Sequence, residues 1–210
     1  MIVFPKFRFF YKDLKDKTFT LLDVGAGNHS PSLTKRVFPH CIYHGIDIGN
    51  YNNTVNDVSL MDRYFEMDIS QLRFDEVPDN FYDIIVMNHI IEHIRNGDKA
   101  IEGLSNKLKP GGFIYIEYPG MKSLHLPTMR GTLNFYDDPT HVRVYSVGEI
   151  ELVLVNKNFK ILTKGTRRYW PYIILMPAKI MYNLIRKGHT PAGIFWDLLG
   201  FAEYVYAQKR

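Results

Sequence analysis

Leu21-Leu22-Asp23-Val24-Gly25-Ala26-Gly27-Asn28 reads as a buried strand that runs straight into a glycine turn. A short, mostly apolar run of this kind suits a strand covered on both faces, as in a parallel sheet. Glycines at 25 and 27 let the backbone take positive φ and approach a ligand closely, because no Cβ stands in the way. Asp23 adds a carboxylate at the strand's end. Position 30 is Ser30, so the third glycine that a dinucleotide fingerprint uses around a pyrophosphate is missing. The turn points to a nucleoside-type ligand without a pyrophosphate.

Outward from this strand, the apolar runs Phe19–Val24, Tyr43–Ile48, Tyr82–Met87 and Phe113–Tyr118 alternate with helix-like stretches. That alternation predicts a parallel sheet with helices on both faces. A shorter run, Tyr64–Met67, predicts an edge strand. Asp98–Leu108 predicts a helix closed by Lys107, Lys109 and the breaker Pro110-Gly111-Gly112. Another helix begins at Ser146, with Glu149 as its capping-box partner, and runs to about Lys157. Phe159–Thr163 and Phe201–Ala207 read as the last strands. Between them Pro177 opens a helix and Gly188 follows its end. Ile173, Pro177, Ile180, Met181, Leu184 and Ile185 share one face, opposite Lys179, Asn183, Arg186 and Lys187. Burial of that apolar face against its own domain is the expectation.

Two further acids sit where strands end. Asp47 closes the run Tyr43–Ile48, where a carboxylate can accept hydrogen bonds from both hydroxyls of a ribose. A turn role is the alternative there, since Gly49-Asn50 follows at once. Asp68, in Glu66-Met67-Asp68-Ile69-Ser70, ends the edge strand, at a place where an adenine amino group can be read.

In their order, Leu21–Asn28, Asp47, Asp68, Phe81-Tyr82-Asp83-Ile84-Ile85-Val86 and Leu108-Lys109-Pro110-Gly111-Gly112 resemble the class I S-adenosylmethionine-dependent methyltransferases, over roughly residues 18–165. The resemblance implies an α/β, Rossmann-like fold: a seven-stranded sheet of order 3-2-1-4-5-7-6, strand 7 antiparallel, with helices on both faces. It implies S-adenosyl-L-methionine as cofactor. Asp23, Gly25, Ala26, Gly27 and Asn28 would serve its methionine part, Asp47 and Ile48 the ribose, Asp68 and Ile69 the adenine. The backbone near Asn88 would lie beside the sulfonium. Residues 1–17 then form a lead-in and residues 18–210 one methyltransferase domain, with a helical insertion at about 170–200 between the last two strands. Long insertions of this sort are usually functional.

His89-Ile90-Ile91-Glu92-His93 matches the H-x-x-E-H string of inverted zinc peptidases. No peptidase framework surrounds it, and the string follows a parallel strand where the methyltransferase resemblance expects a loop entering a helix. Some O-methyltransferases carry a similar Glu-His pair with a divalent metal, and His89, Glu92 and His93 would need a downstream His125 or His141 to form such a site. Their first ligand is usually a carboxylate, whereas here it is His89. The expectation is therefore no metal, with Glu92-His93 opening the helix after the fourth strand. Asn134–Arg143 lies at the rim where acceptors bind. There His141 is the candidate general base, with His93 as the second candidate catalytic side chain. Tyr136, Tyr145, Tyr169 and Trp170 are candidates for an acceptor pocket.

Composition bounds the rest. The chain has 210 residues, 46% apolar and 23% charged, with a single cysteine, Cys41, so neither an internal disulfide nor a multi-cysteine metal site is expected. Lys6, Arg8 and Lys12 interrupt any signal-peptide core, and a cytoplasmic setting is the expectation. The net charge of +4 is uneven: residues 1–17 carry five Lys/Arg against two Asp, and residues 157–188 carry eight Lys/Arg and no acid. The short chain and lack of a recognition domain suggest a small polar acceptor, methylated on oxygen or nitrogen, such as a sugar or glycan precursor, and no specific nucleic-acid partner. The basic amphipathic helix 177–187 is a candidate for peripheral membrane contact or self-association. An NAD-type oxidoreductase and a non-catalytic cofactor-binding module are the competing readings.

Overall fold

Thr20–Val24 (β1) is buried at every position, Asp23 included, as a central strand covered on both faces is. In the computed structural model, which describes residues 3–210, it lies near the middle of a seven-stranded sheet. The other strands are Ile42–Asp47 (β2), Arg63–Glu66 (β3), Tyr82–Asn88 (β4), Leu108–Pro119 (β5), Phe159–Thr166 (β6) and Ala202–Lys209 (β7). Their order is β3-β2-β1-β4-β5-β7-β6. β7 runs antiparallel to both of its neighbours, and the remaining pairs are parallel. Order and strand directions are those the resemblance implies.

Strand periodicity divides the core in two. Leu22, Ile85, Met87, Ile114 and Ile116 face one side, where Ala100, Ile101, Leu104, Ile150 and Leu154 cover them. Leu21, Ile84, Val86 and Tyr115 face the other, under Phe7, Phe10, Val37 and Phe38. Residues before β1 thus contribute to the core, with Phe7 and Phe10 both packed on the Phe38 ring.

Among the described residues, eight short helices surround the sheet: Tyr11–Leu14 (α1), Ser30–Val37 (α2), Val55–Ser59 (α3), Gly97–Ser105 (α4), Val147–Asn156 (α5), Trp170–Ile174 (α6), Met176–Lys187 (α7) and Trp196–Leu199 (α8). Ser146 and Glu149 form the expected capping box at the start of α5, with Glu149 N donating to Ser146 Oγ at 3.2 Å and Ser146 N to Glu149 Oε2 at 2.8 Å.

Three sequence expectations change. The helix expected over Asp98–Leu108 ends at Ser105, because Leu108 pairs with Tyr82 and already belongs to β5. Pro110-Gly111-Gly112 is a kink within that strand: the register jumps between Tyr82 and Ile84, and Gly111 takes φ +78°. The apolar face of α7 is not buried. None of its residues is, and Ile185 is 78% exposed. Among the described residues, no helix is long and apolar enough to cross a membrane.

Candidate active site

The chain leaves β1 in one direction to build β2 and β3, then returns to build β4 and β5 on the other side. The loops beyond the carboxyl ends of β1 and β4 diverge there, which opens a crevice in doubly wound sheets. A cleft of about 1800 Å³ occupies this place. Single-ligand pockets usually measure about 300–1,000 Å³, so the cleft has room for two ligands side by side.

The glycine turn forms one wall. Gly25 takes φ +84°, and a Cβ there would stand 2.1 Å from Ile90 Cδ1. At Gly27 a Cβ would stand 2.8 Å from the Tyr51 carbonyl oxygen. Asn28 and His29 continue in the left-handed region before α2 begins. The turn's amides are already engaged. Gly25 N and Ala26 N donate to Ile46 O at 2.8 and 3.1 Å, Asn28 N to Tyr51 O at 2.9 Å and His29 N to Asn53 Oδ1 at 3.0 Å. A phosphate-binding turn aims such amides at its ligand. This one is tied to β2 and the loop after it, which agrees with the missing third glycine and argues against a dinucleotide.

Of the expected cofactor residues, Asp23, Gly25, Gly27, Asn28, Asp47, Ile48, Asp68, Ile69 and Asn88 all line the cleft. Ala26 does not. It is fully buried, packed against Gly45 of β2, where a Cβ would meet it at 2.7 Å. Asp23 is buried too, and its Oδ2 accepts from Tyr43 Oη at 2.7 Å and from Ser30 Oγ, with Lys6 Nζ at 3.7 Å. Asp47 is half-buried, and burial raises its carboxyl above the usual range against the pull of the Ile48 amide. Both oxygens of exposed Asp68 are used locally, Oδ1 by Ser70 N at 2.9 Å and Oδ2 by Gln71 Nε2 at 3.2 Å.

The opposite wall holds two histidines whose protonation follows from their partners. His141 Nδ1 lies 2.6 Å from Phe135 O, which can only accept, so Nδ1 is the donor, and Asp138 Oδ2 stands 3.9 Å from Nε2. Thr140 Oγ1 has one proton, which it donates to the Asp138 carboxylate at 2.5 Å. Thr140 Oγ1 therefore accepts from His93 Nδ1 at 2.9 Å. The two rings are 4.9 Å apart. Buried Glu92 has Oε1 on His89 and Oε2 without any partner. Glu92, His93 and His141 each offer one ligand atom within 4.8 Å of the others, a donor set of the kind that holds a divalent cation. His125 does not join this cluster, and Glu92-His93 sits in a single 3-10 turn, Ile91–His93, rather than opening α4.

His89 belongs to a different network. It takes φ +56° at the end of β4, with Nδ1 3.2 Å from Glu92 and Nε2 3.2 Å from Glu117 of β5. Burial disfavours its charge, but the hydrogen bonds it donates to Glu117 and Glu92 outweigh that and raise its pKa to about 9. Glu117 also accepts from Arg167 Nη1 at 2.7 Å, and Arg167 forks onto both oxygens of Asp197 in α8 at 3.0 Å. Burial works against ionisation of Glu117, yet Arg167 and His89 hold it well below the usual range.

Tyr136, Tyr145, Tyr169 and Trp170 are not on the cleft wall. Tyr145 is buried, with its hydroxyl 2.9 Å from Ile94 O, and Tyr136 and Trp170 are 74% and 67% exposed. The aromatic lining comes instead from Tyr172, Trp196 and Phe201, with Glu117 and Arg167 below them. Sequence reading passes over these residues. Only the length of the 170–200 connection hints that its side chains return to the cleft.

Residues 5–164 match the family described as Methyltransferase domain. No curated protein matches the chain. Among solved structures, a SAM-dependent methyltransferase from Aquifex aeolicus superposes with a TM-score of 0.61 at 20% identity, over 99% of this chain and 90% of that one. A putative sarcosine dimethylglycine methyltransferase from Galdieria sulphuraria gives 0.62 at 17%, over 96% and 82%. The [4+2]-cyclase SpnF gives 0.57 at 19%, over 98% and 81%. At such identities the likeness is one of fold.

Proposed function

The chain belongs to the methyltransferase-domain family, and on that premise we propose that it transfers a methyl group from S-adenosylmethionine to oxygen or nitrogen of a small polar acceptor. A hydroxyl on a sugar or glycan precursor fits best, because the wall facing the nucleoside side carries a histidine suited to deprotonate it. One observation carries the reading: a cleft large enough for two ligands has a nucleoside-type wall whose turn amides are spent on β2, and a base-bearing wall opposite.

Asp47, at the end of β2, is the residue to hold a ribose, with Asp68 and Ile69 on the adenine side and the turn from Gly25 to Asn28 beside the methionine part. S-adenosylmethionine supplies an electrophilic methyl carbon on a sulfonium, which departs as the neutral thioether of S-adenosylhomocysteine. The acceptor's lone pair forms the new bond, and its proton passes to His141 Nε2, the ring nitrogen left over when Nδ1 donates to Phe135 O. Methyl transfer is a direct displacement, so alignment in the cleft provides much of the rate.

Calorimetry with S-adenosylhomocysteine and NAD tests the donor assignment. Binding of the first without the second is expected, and Asp47→Ala should abolish it. Normal affinity in that variant would remove the ribose assignment; NAD binding would favour an oxidoreductase. For the acceptor, hydroxyl and amine compounds are screened for release of S-adenosylhomocysteine. A protein that binds the nucleoside but turns over with neither class would be the non-catalytic module.

A further inference from the structure

Helix α7 is turned the wrong way round for a helix that packs on its own domain. Met176, Lys179, Ile180 and Asn183, spaced as one helical stripe, are its half-buried residues, and Lys179 lies 3.6 Å over the Tyr172 ring. The stripe that faces outward is Pro177, Ala178, Met181, Leu184 and Ile185. Met181, Leu184 and Ile185 are 59%, 47% and 78% exposed. On the preceding α6, joined through Leu175 alone, Trp170 and Ile174 are 67% and 72% exposed. A monomeric protein rarely leaves such an apolar run uncovered without a partner for it.

The charge around the stripe selects the partner. No Asp or Glu occurs from residue 152 to residue 196, while Arg168, Arg186 and Lys187 are exposed within that span. A second copy pairing through the same helix would bring basic segment against basic segment with no acid to neutralise it. One helix face of five side chains also falls far short of the roughly 20–30 residues a stable interface takes from each partner. An anionic bilayer has both complements: an interfacial apolar layer for the stripe and negative headgroups for the flanking cations. Exposed Trp170 adds the side chain that settles at such interfaces.

We propose that α6 and α7 dock this protein in plane on an anionic lipid surface, α7 inserting its Met181–Ile185 face among the headgroups. The 170–200 segment also supplies Tyr172, Gly193 and Trp196 to the cleft wall, so the docking helices and the cleft share one stretch of chain. Docking stands independently of the reaction; only the use of the cleft at that surface rests on the methyl-transfer reading.

Co-sedimentation of the full chain with vesicles tests it. Wild type should pellet with phosphatidylcholine vesicles containing phosphatidylglycerol, not with phosphatidylcholine alone, and less so as salt rises. Met181→Ser/Ile185→Ser should bind at least about tenfold more weakly, since two buried apolar side chains are lost. Arg186→Gln and Lys187→Gln should each weaken binding about fivefold. All these side chains are exposed, so unfolding temperature and S-adenosylhomocysteine affinity should match wild type. Lack of binding to anionic vesicles at low salt overturns the proposal. So does undiminished binding by the Met181/Ile185 variant, or a lipid-free dimer of wild type that this variant abolishes. Vesicle binding without nucleoside binding would leave docking standing and remove the methyl-transfer reading.

Discussion

At the scale of single residues, the site is defined by which nitrogen or oxygen is left without a partner. His141 lines the cleft and spends Nδ1 on the carbonyl of Phe135, so Nε2 is the ring nitrogen available as a base, and a hydroxyl acceptor needs such a group in the transition state more than in the ground state. His141→Gln should therefore lower kcat about 10²–10⁴-fold while changing KM for a hydroxyl acceptor little. A proportional rise in KM instead would make it a binding residue. His89 differs because it is charged and paired. Its folded-state pKa of about 9 lies above its ordinary 6.5, so the stabilisation it confers is complete below pH 6.5 and vanishes as pH rises through 9. His89→Asn suits the left-handed backbone at this position but cannot take up the proton. The gap in unfolding temperature between wild type and this variant should be widest near pH 6 and close above pH 9. A gap independent of pH would mean that His89 acts by packing alone.

At the scale of elements, the sheet's end is tied to the insertion by one side chain. Arg167, just past β6, reaches Glu117 on β5 and Asp197 on α8, all three buried. Removing one member of such a buried set leaves the others charged in a poor solvent, which costs about 3–5 kcal/mol. Arg167→Met should thus lower the unfolding temperature by roughly 10 °C and increase amide exchange in α8. Unchanged exchange there would mean the insertion is anchored by other contacts. Strand β1, its glycine turn and the Ser146 capping box were legible because they depend on neighbours in sequence: apolar run, missing Cβ, side chain three residues on. The Arg167 network was not, since its members lie 50 and 30 residues apart and nothing in a Thr-Arg-Arg-Tyr string marks which arginine turns inward. The face of α7 was misjudged for a related reason. Periodicity finds an apolar stripe but carries no information on whether protein or something else covers it.

At the scale of the molecule, the two walls of the cleft come from two main stretches of chain, with Phe4, Pro5 and Lys6 of the lead-in added to the lining. Asp23 to Asn88 build the nucleoside wall and lie within the matched family region; Glu92 to Phe201 build the other and extend beyond residue 164, where the match stops. The first stretch holds most of the cleft residues that sequence reasoning names; the second holds His93 and His141, which it also names, and Tyr172, Trp196 and Phe201, which it does not. A nucleoside makes the same demands wherever it binds, whereas Tyr172, Trp196 and Phe201 reach the second wall from beyond residue 164. The division yields a separable prediction. Trp196 lies on the cleft wall with its indole stacked on Phe201 at 4.6 Å and its Nε1 donating to Thr132 O at 2.6 Å. Trp196→Ala opens the acceptor wall without touching β1, β2 or β3. Stabilisation of the folded protein by S-adenosylhomocysteine should then equal that of wild type in a thermal-shift titration, while kcat/KM for the acceptor falls at least about tenfold, the usual scale for losing a large buried aromatic contact. Asp47→Ala should show the reverse, with loss of the nucleoside-induced shift. If Trp196→Ala weakened nucleoside binding as much as Asp47→Ala does, the cleft would be a single site, and its division into donor and acceptor walls would fail.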